Sequence, residues 1–125
     1  MSEGACDVSL GDYDGDAAEL YHEAIVTART PKKCDECNET IEPKQRYERV
    51  SGKWDGEWSV WRSCLPCSEA LTEFSENGRC FGVLWDGMRD NWEQGAHLQA
   101  CLNRLTTTAA KEHMRRQWLK WKRLA

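Results

Sequence analysis

No apolar run in this chain of 125 residues approaches the ~18 residues that a membrane-spanning helix needs. The opening stretch, MSEGACDVSLGDYDGD, has no basic segment leading into an apolar one. It does not read as a secretory signal, so the expected compartment is the cytoplasm, with no membrane partner. There is no phosphate-binding glycine loop and no His-Glu-x-x-His metal signature. The three histidines are His22, His97 and His113, and none lies between residues 23 and 96. They read as ordinary surface or partly buried residues. With no phosphate loop, no metal signature and no histidine near the hairpin, the expectation is a non-enzymatic protein with no catalytic residue. Internal repeats and low-complexity segments are lacking too. The length is that of about one domain, whose limited core makes any cross-link matter.

What is abundant is cysteine and tryptophan, seven of each. A cytoplasmic setting disfavours disulfides, and an odd count fits poorly with a complete disulfide framework. Four of the seven fall into two matched pairs, Cys34-x-x-Cys37 and Cys64-x-x-Cys67, with 26 residues between them. A redox reading would need a Cys-x-x-Cys beside a parallel-sheet βαβ pattern, and none is visible. The spacing is instead that of a structural Zn²⁺ site, where two tight turns each supply two thiolates to a tetrahedron. Four thiolates complete that shell and leave no position for a reacting water. Lys32, Lys33 and nearby backbone N–H groups can offset its net charge. Of the other three, Cys80 and Cys101 read as small buried hydrophobes, while Cys6 is left without a role, a place as a metal ligand or against the metal unit being the disfavoured option.

The segment between the pairs reads as a hairpin. Asp55-Gly56 is a two-residue turn signal, because a type I′ turn needs positive φ at both positions. That turn sets Trp54 opposite Glu57, Val50 opposite Trp61 and Tyr47 opposite Cys64. Val50, Trp54 and Trp61 then share one face, and Tyr47, Trp58 and Val60 the other. IEPKQ reads as a turn before it. The second cysteine pair opens a short helix, CLPCSEALTEFSENG, which Asn77-Gly78 would end. Knuckle, hairpin and helix follow one another in treble-clef order; a zinc ribbon would end in strands.

Upstream, residues 11–30 read as a helix capped by Asp14 or Asp16, with Leu20, Ala24 and Ala28 at helical spacing and Pro31 beyond its end. Downstream, helices are expected near 81–93 and 94–105. A last one starts after a Thr cap at 106–108. The fold class is therefore α+β: a treble-clef or zinc-ribbon-like unit between an N-terminal helix and a C-terminal helical extension, divided as 1–78 and 79–125.

Charge is unevenly spread. Residues 1–30 carry seven acids and one base, whereas residues 104–125 carry seven bases and one acid, within a net −4. The last helix places Met114, Trp118 and Trp121 on one stripe and Arg116, Lys120 and Arg123 on another. Arg115, Arg116, Trp118, Lys120, Trp121 and Arg123 are the candidate partner-binding residues. The plainer alternative makes the Met and Trp stripe core and the cations a solvated face.

Cys6-Asp7, Ala28-Arg29, Cys34 and Cys37, Ile41-Glu42-Pro43, Tyr47-Glu48-Arg49, Gly52-Lys53-Trp54-Asp55-Gly56, and Cys64 with Cys67 together resemble a group of small proteins encoded by tailed phages and prophages. The resemblance covers about the first 75 residues and leaves the C-terminal helices outside it. Small phage proteins commonly bind and disable a host machine, anti-CRISPR proteins among them. The resemblance therefore implies an inhibitor or adaptor that engages a host or phage protein complex, such as a CRISPR effector. The second expectation is a nucleic-acid-binding module using the basic last helix, against which the net −4 and a pI near 5.4 weigh.

Overall fold

The computed structural model describes residues 6–8, 20–54, 56–75 and 81–124. The chain is α+β, and its residues divide into two compact units, 11–65 and 1–10 with 66–125.

The first unit is built on a three-stranded antiparallel sheet of order β1-β4-β5, formed by Leu20–Thr27, Arg46–Trp54 and Glu57–Cys64. The hairpin has the register expected from its turn: Trp54 pairs with Glu57, Val50 with Trp61 and Tyr47 with Cys64. Gly56 adopts φ +78, the left-handed conformation that the turn demands. Between β1 and β4 lie two short strands, β2 (Lys32–Lys33) and β3 (Thr40–Ile41), which pair with each other. Residues 42–45 form the expected turn, closed by Gln45 N–H to Glu42 O at 3.1 Å. Pro43 occupies its second position, while Lys44 takes the positive φ of 75 that glycine usually supplies.

The expected N-terminal helix is wrong over its described part, because Leu20–Thr27 is a strand. Every residue of it pairs with β4, from Leu20 opposite Lys53 to Thr27 opposite Arg46. The four-residue spacing of Leu20, Ala24 and Ala28 fits a helix, but it is also an even spacing that a strand places on one face. Ile25, Val26 and Thr27 are β-branched and favour the extended chain. The open edge of β4 decides the matter. Asp14 and Asp16 lie outside the described residues.

The second unit is helical: α1 (Leu65–Phe74), α2 (Leu84–Glu93), α3 (Leu98–Asn103) and α4 (Thr108–Leu124). Asn77 and Gly78 lie outside the described residues. Leu71, Phe74, Leu84, Met88, Leu102 and Met114 are buried to 2 % exposure or less and form its core. The cap of α4 is as expected: Thr107 Oγ1 accepts from Ala110 N–H at 3.2 Å. A carboxylate of α1 adds to it, with Glu69 accepting from Thr106 N–H, Thr107 N–H and the Thr107 hydroxyl.

The N-terminal segment packs against these helices. Val8 N–H donates to Phe74 O at 2.7 Å, and Asn91 Nδ2 donates to Asp7 O at 3.0 Å. Arg104 spans Asp7 and Glu73 at 2.7 and 3.0 Å. Cys6 and Cys101 form a disulfide across a separation of 95 residues. Cys101 is buried as expected but is not a free thiol, and Cys6, for which the sequence offered no role, is its partner. Nothing local in the sequence marks two cysteines that far apart as partners. Cys80 lies outside the described residues. Among the described residues, no helix is long and apolar enough to cross a membrane.

Candidate metal centre

The first cysteine pair sits in the turn joining β2 to β3. Cys34 N–H donates to Glu39 O and Asn38 N–H to Cys34 O, both at 2.9 Å. Asn38 turns the chain at φ 64, a conformation asparagine tolerates better than most residues. Two acids then fasten this knuckle to β5. Asp35 N–H donates to Arg62 O, and Asp35 Oδ2 accepts from Arg62 N–H, each at 2.8 Å. Glu36 Oε2 accepts from the Trp61 indole at 2.9 Å. These contacts bring Cys34 and Cys37 to the end of β5, where Cys64 is the last strand residue and Cys67 lies in the first turn of α1.

The sulfur atoms of Cys34, Cys37, Cys64 and Cys67 all lie within 4.8 Å of one another. Cys37 and Cys64 are 4.0 Å apart, Sγ to Sγ. A tetrahedral four-thiolate shell with metal–sulfur bonds of about 2.3 Å sets its sulfurs about 3.8 Å apart. The four sulfurs are close enough together for such a shell, so the cluster can hold a metal ion. Cys34, Cys64 and Cys67 are buried and Cys37 is half-buried.

Four thiolates around a divalent ion leave excess negative charge, and nitrogen donors surround the sulfurs. Cys64 N–H donates to Cys34 Sγ at 3.3 Å. Trp85 Nε1–H donates to Cys67 Sγ at 3.3 Å. His113, only 2 % exposed, places Nε2 at 3.4 Å from the same sulfur. Its other nitrogen, Nδ1, lies 2.8 Å from the Arg116 guanidinium. A guanidinium can only donate, so Nδ1 accepts and Nε2 carries the proton that points at Cys67. The Trp85 and His113 rings meet edge to face at 5.6 Å. Outer contacts of this kind orient ligands and tune the metal they hold.

Sequence reasoning missed His113 and Trp85 as thiolate donors. The one local hint is that Arg116 follows His113 by three residues, one helical turn on. The six candidate partner-binding residues fall into two groups. Arg116 is engaged with His113, and Trp121 packs against Trp92 with ring centroids 5.9 Å apart. Trp118 is half-buried, with Lys122 over its ring at 5.4 Å. Arg115, Lys120 and Arg123 are exposed on α4. Compared with protein-family models, with curated proteins and with solved structures, the chain has no match.

Proposed function

We propose that this chain is a non-enzymatic, zinc-stapled binding protein of phage origin that engages and inhibits a host protein complex, such as a CRISPR effector. The observation that carries the reading is the closed character of the metal centre. Four sulfurs lie close enough to complete a tetrahedral shell, and nitrogen donors meet Cys34 and Cys67, so an ion bound by all four supports the fold and offers no position to a substrate. A protein whose chemistry is structural acts through the surface it presents. Zinc is favoured because a closed four-cysteine shell is its commonest structural site. The succession of knuckle, hairpin and helix supports a treble clef. Phage origin rests on the sequence motifs, from Cys6-Asp7 to the closing Cys64-x-x-Cys67.

The surface offered by α4 is smaller than the six residues first singled out. Arg116 and Trp121 make contacts within the helical unit, leaving Arg115, Lys120 and Arg123 as the other exposed cations among the six. Affinity purification of the tagged chain from host cells tests the reading. One host complex should be retained in stoichiometric amount, and its activity should fall on addition of the pure protein. A chain that retains no complex and leaves host defence intact would overturn it.

A further inference from the structure

The strand register sorts charge across the three-stranded sheet. Directly paired side chains share a face, and faces alternate along each strand. One face accordingly carries Glu23, Glu48 and Glu57, which are all the acids on these strands. The opposite face carries Arg49, Lys53 and Arg62 and no acid. Only Arg46, among the strand lysines and arginines, lies on the acidic face.

One further feature falls on the cationic face, and a second opens at its end, where Thr27 of the acidic face also contributes. Trp58, opposite Lys53, is 63 % exposed, whereas Trp85 and Trp92 are 3 and 4 % exposed. At the other end, Arg49 is part of an open pocket of about 590 Å³ lined also by Val26, Thr27, Arg29, Lys32 and Tyr47. Among the described residues that line it, three are cations and none is an acid.

We infer that this face binds single-stranded nucleic acid, with phosphates held by Arg29, Lys32 and Arg49 and an unpaired base stacked on Trp58. Arginine forks match phosphate oxygens, and an exposed indole offers a π-face to any base. Arg49 and the partner of Trp58 are four residues apart on β4, about 13 Å along a strand. A few nucleotides can reach both. The net charge of −4 gives no general attraction for polyanions, so binding depends on this local sorting. The inference goes beyond the host-complex reading and does not rest on it. Capture of a host complex by a chain that binds no oligonucleotide would remove this inference and leave that reading standing.

Fluorescence anisotropy of labelled oligothymidylate and oligouridylate with the full-length, zinc-loaded protein is the test. Binding is expected at about 50 mM salt, weakening roughly 15-fold by 200 mM if three phosphates are contacted. Arg49→Glu should weaken binding about tenfold or more, and Trp58→Ala about tenfold. Arg46→Glu makes the same charge change on the other face, beside the pocket residue Thr27, and should weaken binding far less. Zinc content and melting temperature check that each variant is folded; Trp58→Ala removes a mostly exposed side chain and keeps the test open if Arg49→Glu does not fold. Four results would overturn the inference: no binding at low salt, equal loss in Arg46→Glu and Arg49→Glu, no effect of Trp58→Ala, or duplex DNA or polyglutamate bound as tightly as the single strand.

Discussion

Cys67 is the best-supported sulfur of the candidate metal centre, because two side-chain nitrogens approach it from within the helical unit. Replacing His113 by Phe keeps a ring against Trp85 and removes the donor to the thiolate. Loss of such an outer contact costs about 10–100-fold in metal affinity. His113→Phe should therefore lose zinc to a colorimetric chelator well before the parent protein does, while Cys64→Ser should bind no zinc and leave the knuckle unfolded. Elemental analysis of the parent should find about one zinc per chain; a metal-free protein that stays folded in chelator would remove the basis for the staple. Gly87 makes a second residue-scale case. A Cβ there would stand 2.6 Å from Val8 Cγ1, and valine has little rotameric freedom to move away. Alanine gains up to about 1 kcal/mol in helix propensity, but overpacking costs about 1–3 kcal/mol. Gly87→Ala should lower the melting temperature despite improving the helix.

Two turns and one cap carry the element-scale expectations. Around Gly56 a Cβ would meet nothing within 4 Å, so a substitution there is opposed by its φ of +78 alone. Gly56→Val should cost about 1–3 kcal/mol, and Gly56→Asn much less, since asparagine tolerates the left-handed region. At Lys44, φ 75 is already occupied by a residue with a side chain, so Lys44→Gly should be neutral or stabilising. Thr107 and Glu69 share the start of α4, and Thr107→Ala should cost about 0.5–2 kcal/mol. Burial alone would raise the Glu69 carboxyl. Hydrogen bonds from the Thr107 hydroxyl and the Thr106 and Thr107 N–H groups, with the Lys111 charge, outweigh it and hold the group below the ordinary glutamate value of 4.5. A carboxyl depressed by folding stabilises the protein above its ordinary value, and that stabilisation is lost as pH falls through the depressed one. Melting curves of the parent and Glu69→Gln should differ by a constant amount above pH 4.5 and converge below it. A gap that persists into strong acid would disconnect Glu69 from the cap.

At the scale of the whole molecule, the disulfide between Cys6 and Cys101 closes a loop of 95 residues, from the N-terminal segment to α3. Cross-links typically stabilise by about 2–4 kcal/mol, and in the chain-entropy account a loop this long lies at or above the upper end of that range. Reductant should lower the melting temperature of the parent and leave that of Cys6→Ser unchanged. Expression in an oxidising compartment should raise the fraction that migrates as the cross-linked form. α4 cannot be tested by deletion. Its buried face holds His113, Met114 and Gln117, each 3 % exposed or less. Truncation after Thr107 should destabilise the helical unit and weaken the hold on Cys67. Charge reversal at the exposed Arg115, Lys120 and Arg123 is the cleaner probe: capture of the proposed host complex should fall if α4 meets it and stay unchanged if it does not, with folding intact in either case.

The features readable from the chain alone are those written within a few residues of one another. Cys34-x-x-Cys37 and Cys64-x-x-Cys67 announce a four-thiolate cluster because each turn presents two sulfurs at a spacing a metal can use. Asp55-Gly56 decides the hairpin register because a two-residue turn leaves only one pairing, and the side-chain period of two then assigns every face. Thr107 marks the start of α4 through a hydrogen bond three residues long. Residues 20–27 did not announce themselves, since their spacing suits a helix and their β-branched residues suit a strand. The unpaired edge of β4, some twenty residues further along the chain, chose between them. The pairing of Cys6 with Cys101, the donors to Cys67 and the charge-sorted face likewise depend on groups that only folding brings together. Local stereochemistry can be read from neighbouring residues. Which distant surfaces meet is settled by burial and hydrogen bonding across the whole chain, and those exist only in the tertiary structure.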